Sequence, residues 1–206
     1  MTAKQRKQYT EVHQVNSRQS SKTKFQAAAL PALAFAAGVG VVLLSHTAQA
    51  KTGNPNVPEP SQPVDLQLYL GKWYEIARYE NRFETGCEGV TAEYGLLPDG
   101  KISVRNTCHA DSPAGRERVA TAKARIVPNS GNAKLRVSFF GPFYVGNYWV
   151  LDHAEDYSWS IVGEPSGRYL WILARAAHPD EALRESLFER AAALGYDTSR
   201  LRPTQQ

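Results

Sequence analysis

The stretch Gly71-Lys72-Trp73-Tyr74-Glu75-Ile76-Ala77-Arg78-Tyr79 decides how the rest of the chain is read. A glycine and a tryptophan lead into a run of aromatic and apolar residues, the composition of a packed β-strand. Downstream, Leu170-Trp171-Ile172-Leu173-Ala174-Arg175 has the same character and closes on an arginine. Counting the short runs of this kind between turn residues, eight strands are expected, over 73–79, 88–97, 101–109, 117–127, 133–140, 144–152, 157–163 and 169–175. Pro98-Asp99-Gly100, Pro128-Asn129-Ser130-Gly131 and Gly141-Pro142 are connections short enough to make successive strands antiparallel neighbours. An all-β chain of eight strands joined in this way closes into an antiparallel up-and-down barrel, whose interior holds side chains or one small ligand. One C-terminal α-helix is expected outside it. Pro179 suits the first helical position, Leu183, Leu187, Ala191 and Leu194 recur on one face, and Gly195 suits the C-terminal cap. The eighth strand, apolar on both faces, offers that helix a wall.

Strand parity then places the conspicuous residues. If the first strand rises from the base, the eighth must end there, so Trp73 and Arg175 become neighbours and the guanidinium can stack on the indole. The turn over 152–157 falls at the same end. The turn between strands five and six falls at the opposite, open end, with those between one and two, three and four, and seven and eight.

Three features occur in order: Gly71-Lys72-Trp73, then Leu151-Asp152-His153-Ala154-Glu155-Asp156-Tyr157, then Arg175. Together they resemble the signature of the lipocalins, and most of all the bacterial outer-membrane and apolipoprotein D-like branch, over about 64–204. The resemblance implies that Gly71, Trp73, Asp152, Tyr157 and Arg175 gather as a structural motif at the closed end. It implies a short helix over 66–70 across the base, and it identifies Phe139-Phe140-Gly141-Pro142-Phe143-Tyr144 as the segment preceding strand six. It further implies the binding and transport or storage of a fatty acid or lysophospholipid in the bacterial cell envelope, without catalysis. An enzyme acting on an apolar substrate from the same barrel, and a structural envelope protein with a filled barrel, are the alternatives.

The ligand is expected at the open end, against Tyr79, Phe140, Tyr144, Tyr148 and Trp171. Phe140 and Tyr144 are placed at the entrance, with Tyr148 and Trp171 deeper. For each of these aromatics the competing role is filling an ordinary core. Ala120, Ala122 and Ala124 share one face of strand four by the period of two; turned inward, that row leaves empty volume. Arg82, Arg116, Arg118 and Arg168 fall in open-end loops and could receive a lipid phosphate or carboxylate, or simply be solvated.

Cys87 and Cys108 fit a hairpin that sets Tyr94 opposite Lys101, which makes them cross-strand neighbours; an oxidising compartment would join them. No metal site and no cofactor are expected, since His109 alone lies near both cysteines and a structural zinc needs four ligands. No Gly-x-Ser-x-Gly elbow, phosphate loop or His-Glu-x-x-His is present. His153 beside Asp152 and Glu155 imitates an acid-base cluster, but parity puts it at the closed end, away from a ligand.

Lys22 and Lys24 precede an uncharged run over 27–44 that ends in Ala48-Gln49-Ala50, the small-x-small pattern of signal-peptidase sites. Residues 1–50 are therefore read as a signal peptide for export to the periplasm, with outer-membrane association as an extension. The competing reading is an uncleaved anchor, because 18 apolar residues nearly span a bilayer. No cysteine stands at the end of the run to take a lipid. Gly53, Pro55, Pro58, Pro60 and Pro63 mark 51–63 as a flexible linker, and 64–206 as the barrel domain. Residues 1–50 hold six Lys/Arg and one acid, leaving eighteen cations and nineteen anions and a net charge of −1 for the rest. That balance gives no support to nucleic-acid binding. The expected partners are a small hydrophobic ligand and, peripherally, a membrane surface; the oligomeric state is left open.

Overall fold

In a computed structural model of the chain, which describes residues 52–206, eight of the runs form strands. They are β1 Gly71–Tyr79, β2 Cys87–Leu96, β3 Ile102–Ala110, β4 Glu117–Ile126, β5 Lys134–Ser138, β6 Gly146–His153, β7 Trp159–Gly163 and β8 Leu170–Ala174. Each pairs antiparallel with the next, and β1 pairs with both β8 and β2, which closes the barrel. A short helix, α1 Leu66–Tyr69, precedes β1, and the longer α2 Glu181–Ala193 follows β8. The expected signal peptide lies outside the described residues.

Closure is complete only at the base. There Gly71 to Tyr74 pair with Tyr94 to Thr91. Higher up, a ninth strand that sequence reading missed, β9 Leu201–Pro203, pairs with β1 instead. Its continuation reaches β2: Gly89 N donates to Gln205 O at 2.7 Å, and Gln206 Nε2 bridges Glu75 O and Val90 O at 2.7 and 3.0 Å. The C-terminal tail thus fills a seam in the wall, satisfying edge groups that would otherwise be open.

Two apolar clusters follow from the alternation of side chains along the strands. The interior one includes Trp73, Tyr94, Ile102, Val104, Ala122, Ala124, Leu135, Val150, Val162 and Leu173. The other lies outside the wall, where Leu187 and Ala191 of α2 cover Ile161, Leu170, Ile172 and Ala174. β8 therefore serves both, as its two apolar faces predict. Asp180 caps α2 by accepting from Leu183 N at 2.8 Å, so Pro179 stands one residue before the cap rather than at the first helical position.

Two further expectations are corrected. The segment before Val64 has no helix or strand, as its prolines dictate, yet it is held down. Gly53 N and Asn54 N donate to Gly167 O, Asp197 N donates to Gly53 O, and the buried Asn54 side chain donates to Leu194 O. Gly167, at φ +64°, presses against the Asn54 carbonyl, where a Cβ would collide. In the β2–β3 hairpin Tyr94 faces Val104 rather than Lys101, because Leu97 N donates to Lys101 O and the turn takes up Pro98, Asp99 and Gly100.

Candidate functional site

The closed end is built around Arg175. Its guanidinium lies 3.8 Å from the Trp73 ring centroid and donates to Lys72 O, Leu68 O and Leu70 O at 2.7, 2.7 and 2.9 Å. With Nε also donating to Tyr157 O at 3.4 Å, the guanidinium combines an indole face with four backbone carbonyls, a use that suits the fork of arginine. Trp73 is completely buried and its Nε1 donates to Tyr69 O, which ties β1 to α1. Gly71 turns into β1 at φ +88°, a conformation side chains avoid. The Tyr157 hydroxyl accepts from Asp65 N at 2.7 Å, and its ring stacks on His153 at 4.5 Å. Asp152 stands at the same end but binds outward, to Arg190 of α2 and to Gln62. His153 is spent in this packing, with its ring nitrogens against Ala154 O and Pro63 O.

Above the plug, three phenols cross the barrel. Tyr148 Oη lies 2.8 Å from Tyr69 Oη and 2.9 Å from Tyr94 Oη, and Tyr69 Oη also meets Ser160 Oγ. Burial pushes Tyr69 up to about 12 and raises Tyr94 and Tyr148 as well, so the cluster stays protonated. A pocket beneath it, lined by Leu66, Tyr69, Leu70, Tyr94, Leu135 and Val150 among others, has room for about one water. Tyr148 thus sits inside the barrel as part of a hydrogen-bonded floor.

The upper half differs. The register puts Ala92, Asn106, Ala120, Val137, Tyr148 and Trp171 on the inward face, in line with Tyr94, Val104, Ala122, Leu135, Val150 and Leu173 below. Yet all six are half-buried or exposed, and Ala120 is open although Ala122 and Ala124 are sealed. Inward-facing side chains that solvent reaches thus line the open half of the barrel, where the alanine row occupies little space.

One wall of this half is polar, a feature not anticipated. Glu75 and Arg78 are both almost fully buried and paired at 2.7 Å, with Thr204 from the tail bonded to each. Arg78 also donates to Glu84 O and Cys87 O. Trp171, directly across from Arg78, donates its Nε1 to Glu84 Oε2 at 3.0 Å. Burial, and then the Glu84 carboxylate, push Glu75 up to about 8 against the opposing pull of Arg78. The sequence signal was available: by parity Glu75 shares a face with the inward Trp73.

The same strand explains why Tyr79 is not a ligand residue. A β-bulge between Glu75 and Ala77 sends Ile76 and Ala77 both outward, which turns Arg78 inward and Tyr79 outward. Tyr79 is buried beneath the outer layer, edge-on to Tyr196 and under Arg200, with its hydroxyl on Asp197 O. Tyr144 is also corrected: its ring packs on Arg125, an outward residue of β4, and so lies on the outer wall. Phe140 stands in the open-end β5–β6 loop, 85% exposed. Arg82, Arg116, Arg118 and Arg168 are all exposed in loops or strand ends at that same end. Cys87 and Cys108 form a disulfide, with Cα atoms 5.4 Å apart.

A closed eight-stranded up-and-down barrel with an Arg-on-Trp plug at one end, solvent-reached inward residues at the other and a helix against its side defines the lipocalin architecture. Residues 64–206 match the family model described as "Lipocalin-like domain", and the chain belongs to that family. It is 39% identical over 167 residues to outer membrane lipoprotein Blc of Vibrio cholerae, covering 81% of this chain and 96% of that one. It is also 39% identical to temperature-induced lipocalin-1 of Arabidopsis thaliana, covering 69% of this chain and 80% of that one. Among solved structures, insecticyanin from the tobacco hornworm Manduca sexta shares the fold, with a TM-score of 0.59 at 22% identity over 74% of this chain and 86% of that one.

Proposed function

We propose that this protein binds a fatty acid or lysophospholipid in its upper chamber and carries or stores it in the bacterial cell envelope, in association with the outer membrane. The observation that carries the reading is the solvent-reached inward face formed by Ala92, Ala120, Val137 and Trp171, above a floor sealed by the cluster of Tyr69, Tyr94 and Tyr148. An acyl chain would enter past Trp171 and stop at Tyr148. Its polar end would remain at the mouth, within reach of Arg82, Arg116 or Arg168. The relatives named outer membrane lipoproteins support the compartment. The role is that of a carrier, since His153, Asp152 and Glu155 stand at the closed end, on the far side of the floor.

The test is titration of the purified protein with oleate and with lysophospholipid, followed by Trp fluorescence. Ala120→Phe should fill the chamber and weaken binding by roughly tenfold or more with little change in melting temperature. Undiminished binding would refute the chamber. An Arg82→Gln, Arg168→Gln double variant that bound both lipids as tightly as wild type would remove the headgroup role. Lipid recovered chemically unchanged by mass spectrometry fits a carrier, whereas turnover would make the protein an enzyme.

A further inference from the structure

The open rim displays side chains that neither the barrel nor the chamber uses. Within the loop joining β5 to β6, Phe139, Phe140, Phe143 and Val145 are 50, 85, 71 and 78% exposed. Four large apolar residues bared in seven positions mark an interaction site more than ordinary surface. The loop has a defined shape. Ser138 Oγ donates to Phe140 O and Gly141 O at 3.3 and 3.0 Å, and Tyr144 is fixed on Arg125 with its ring centroid 4.9 Å from the guanidinium carbon. Its apolar tips are held out from a pinned base.

Beside it, on the outer wall, stand Lys123 and Arg125 of β4 and Arg136 of β5. Arg125 and Arg136 face each other directly across the strands, a pairing of like charges that works against the sheet. Among the described residues none of the three has an acidic partner within 4 Å, and Asp99, the acid that Lys123 influences, is already bonded to Lys101.

We infer that this face is a membrane-docking surface, on which the β5–β6 loop enters the headgroup region of an anionic bilayer while Lys123, Arg125 and Arg136 meet its phosphates. Apolar tips flanked by cations are the arrangement that binds such an interface. A second copy of the chain is the poorer occupant, because a two-fold contact would set these cations against themselves. Docking here would bring the open end of the barrel to the lipid surface, and it stands whether or not the chamber carries lipid.

The experiment places a tryptophan at each end of the full chain, Phe143→Trp at the open rim and Leu68→Trp at the closed end, where Leu68 is 55% exposed beside Arg175 and away from β4 and β5. Each is mixed with vesicles of phosphatidylcholine and phosphatidylglycerol bearing brominated acyl chains. Fluorescence from Phe143→Trp, taken as the difference from wild type, should shift to the blue and be quenched; that from Leu68→Trp should do neither. Any membrane binding through the apolar run over 27–44 acts on both reporters alike. Adding Arg125→Gln and Arg136→Gln should weaken partitioning of the Phe143→Trp protein by about tenfold or more, as should added salt. No quenching at Phe143→Trp, equal quenching at both ends, or indifference to the two arginines would overturn the proposal. So would a blue shift without vesicles that grows with protein concentration, which would assign the face to self-association.

Discussion

The two ends of the barrel use the same residue types for opposite purposes. At the closed end Arg175 has its charge spread over an indole and four carbonyls, those of Leu68, Leu70, Lys72 and Tyr157, all held in place by the backbone around the base. At the open end Arg82 lies only against the exposed ring of Phe83, and Arg116 and Arg168 project into solvent. Aromatics divide likewise, Trp73 wholly buried and Phe140 almost bare. Burial separates them: a group paired on all sides has nothing left for a partner, and one left open contributes little to folding.

Mutation should expose that contrast in graded steps. Trp73→Ala, which empties the plug and leaves Arg175 without its ring, should cost about 3–5 kcal/mol in urea unfolding. A cost under about 1 kcal/mol would break the contrast. Cys87→Ser should cost roughly 3 kcal/mol, for a disulfide spanning 21 residues, and reductant should do the same to the wild type. Tyr148→Phe strands the Tyr94 hydroxyl and should cost about 1–2 kcal/mol, while leaving the chamber above it able to bind lipid. Phe140→Ser, at the rim, should change stability by less than about 0.5 kcal/mol in either direction.

A further test concerns pH. Glu75 is raised in the folded state, so between about 4.5, its ordinary value, and about 8 the folded protein holds a proton that the unfolded chain releases. Its contribution is complete below that window and is lost as pH rises through it. Unfolding free energy should decline across the window in wild type and decline less in Glu75→Gln. An identical slope in both would show that Arg78 keeps Glu75 charged.

Legibility followed the reach of the rule applied. Trp73 against Arg175 could be read because counting alternating strand directions needs no side-chain detail. The inward alanines of β4 could be read because that strand has no bulge. Tyr79 was misplaced because two consecutive outward residues, Ile76 and Ala77, look like ordinary alternation until α2 is known to need both. Tyr144 was misplaced because a loop residue has no period to constrain it. Strand β9 was missed because its three residues carry no pattern; they are a strand only because β1 and β2 part above Tyr74 and leave edges to be paired. The flexible linker failed for the same reason, since its order comes from the Gly167 carbonyl and Leu194, far away in sequence.

The sequence by itself determined the eight strands, their up-and-down order, the end at which Trp73 and Arg175 meet and the helix laid on β8. These depend on periodicity and chain direction, which are local and add up without knowledge of packing. Only the tertiary structure decided which aromatics face the barrel interior, that the tail completes the wall, that Glu75 and Arg78 are buried together and that the rim carries its aromatics beside cations that have no acidic partner among the described residues. Those depend on one-residue shifts and on partners distant in the chain, and a single bulge is enough to reverse every side chain beyond it.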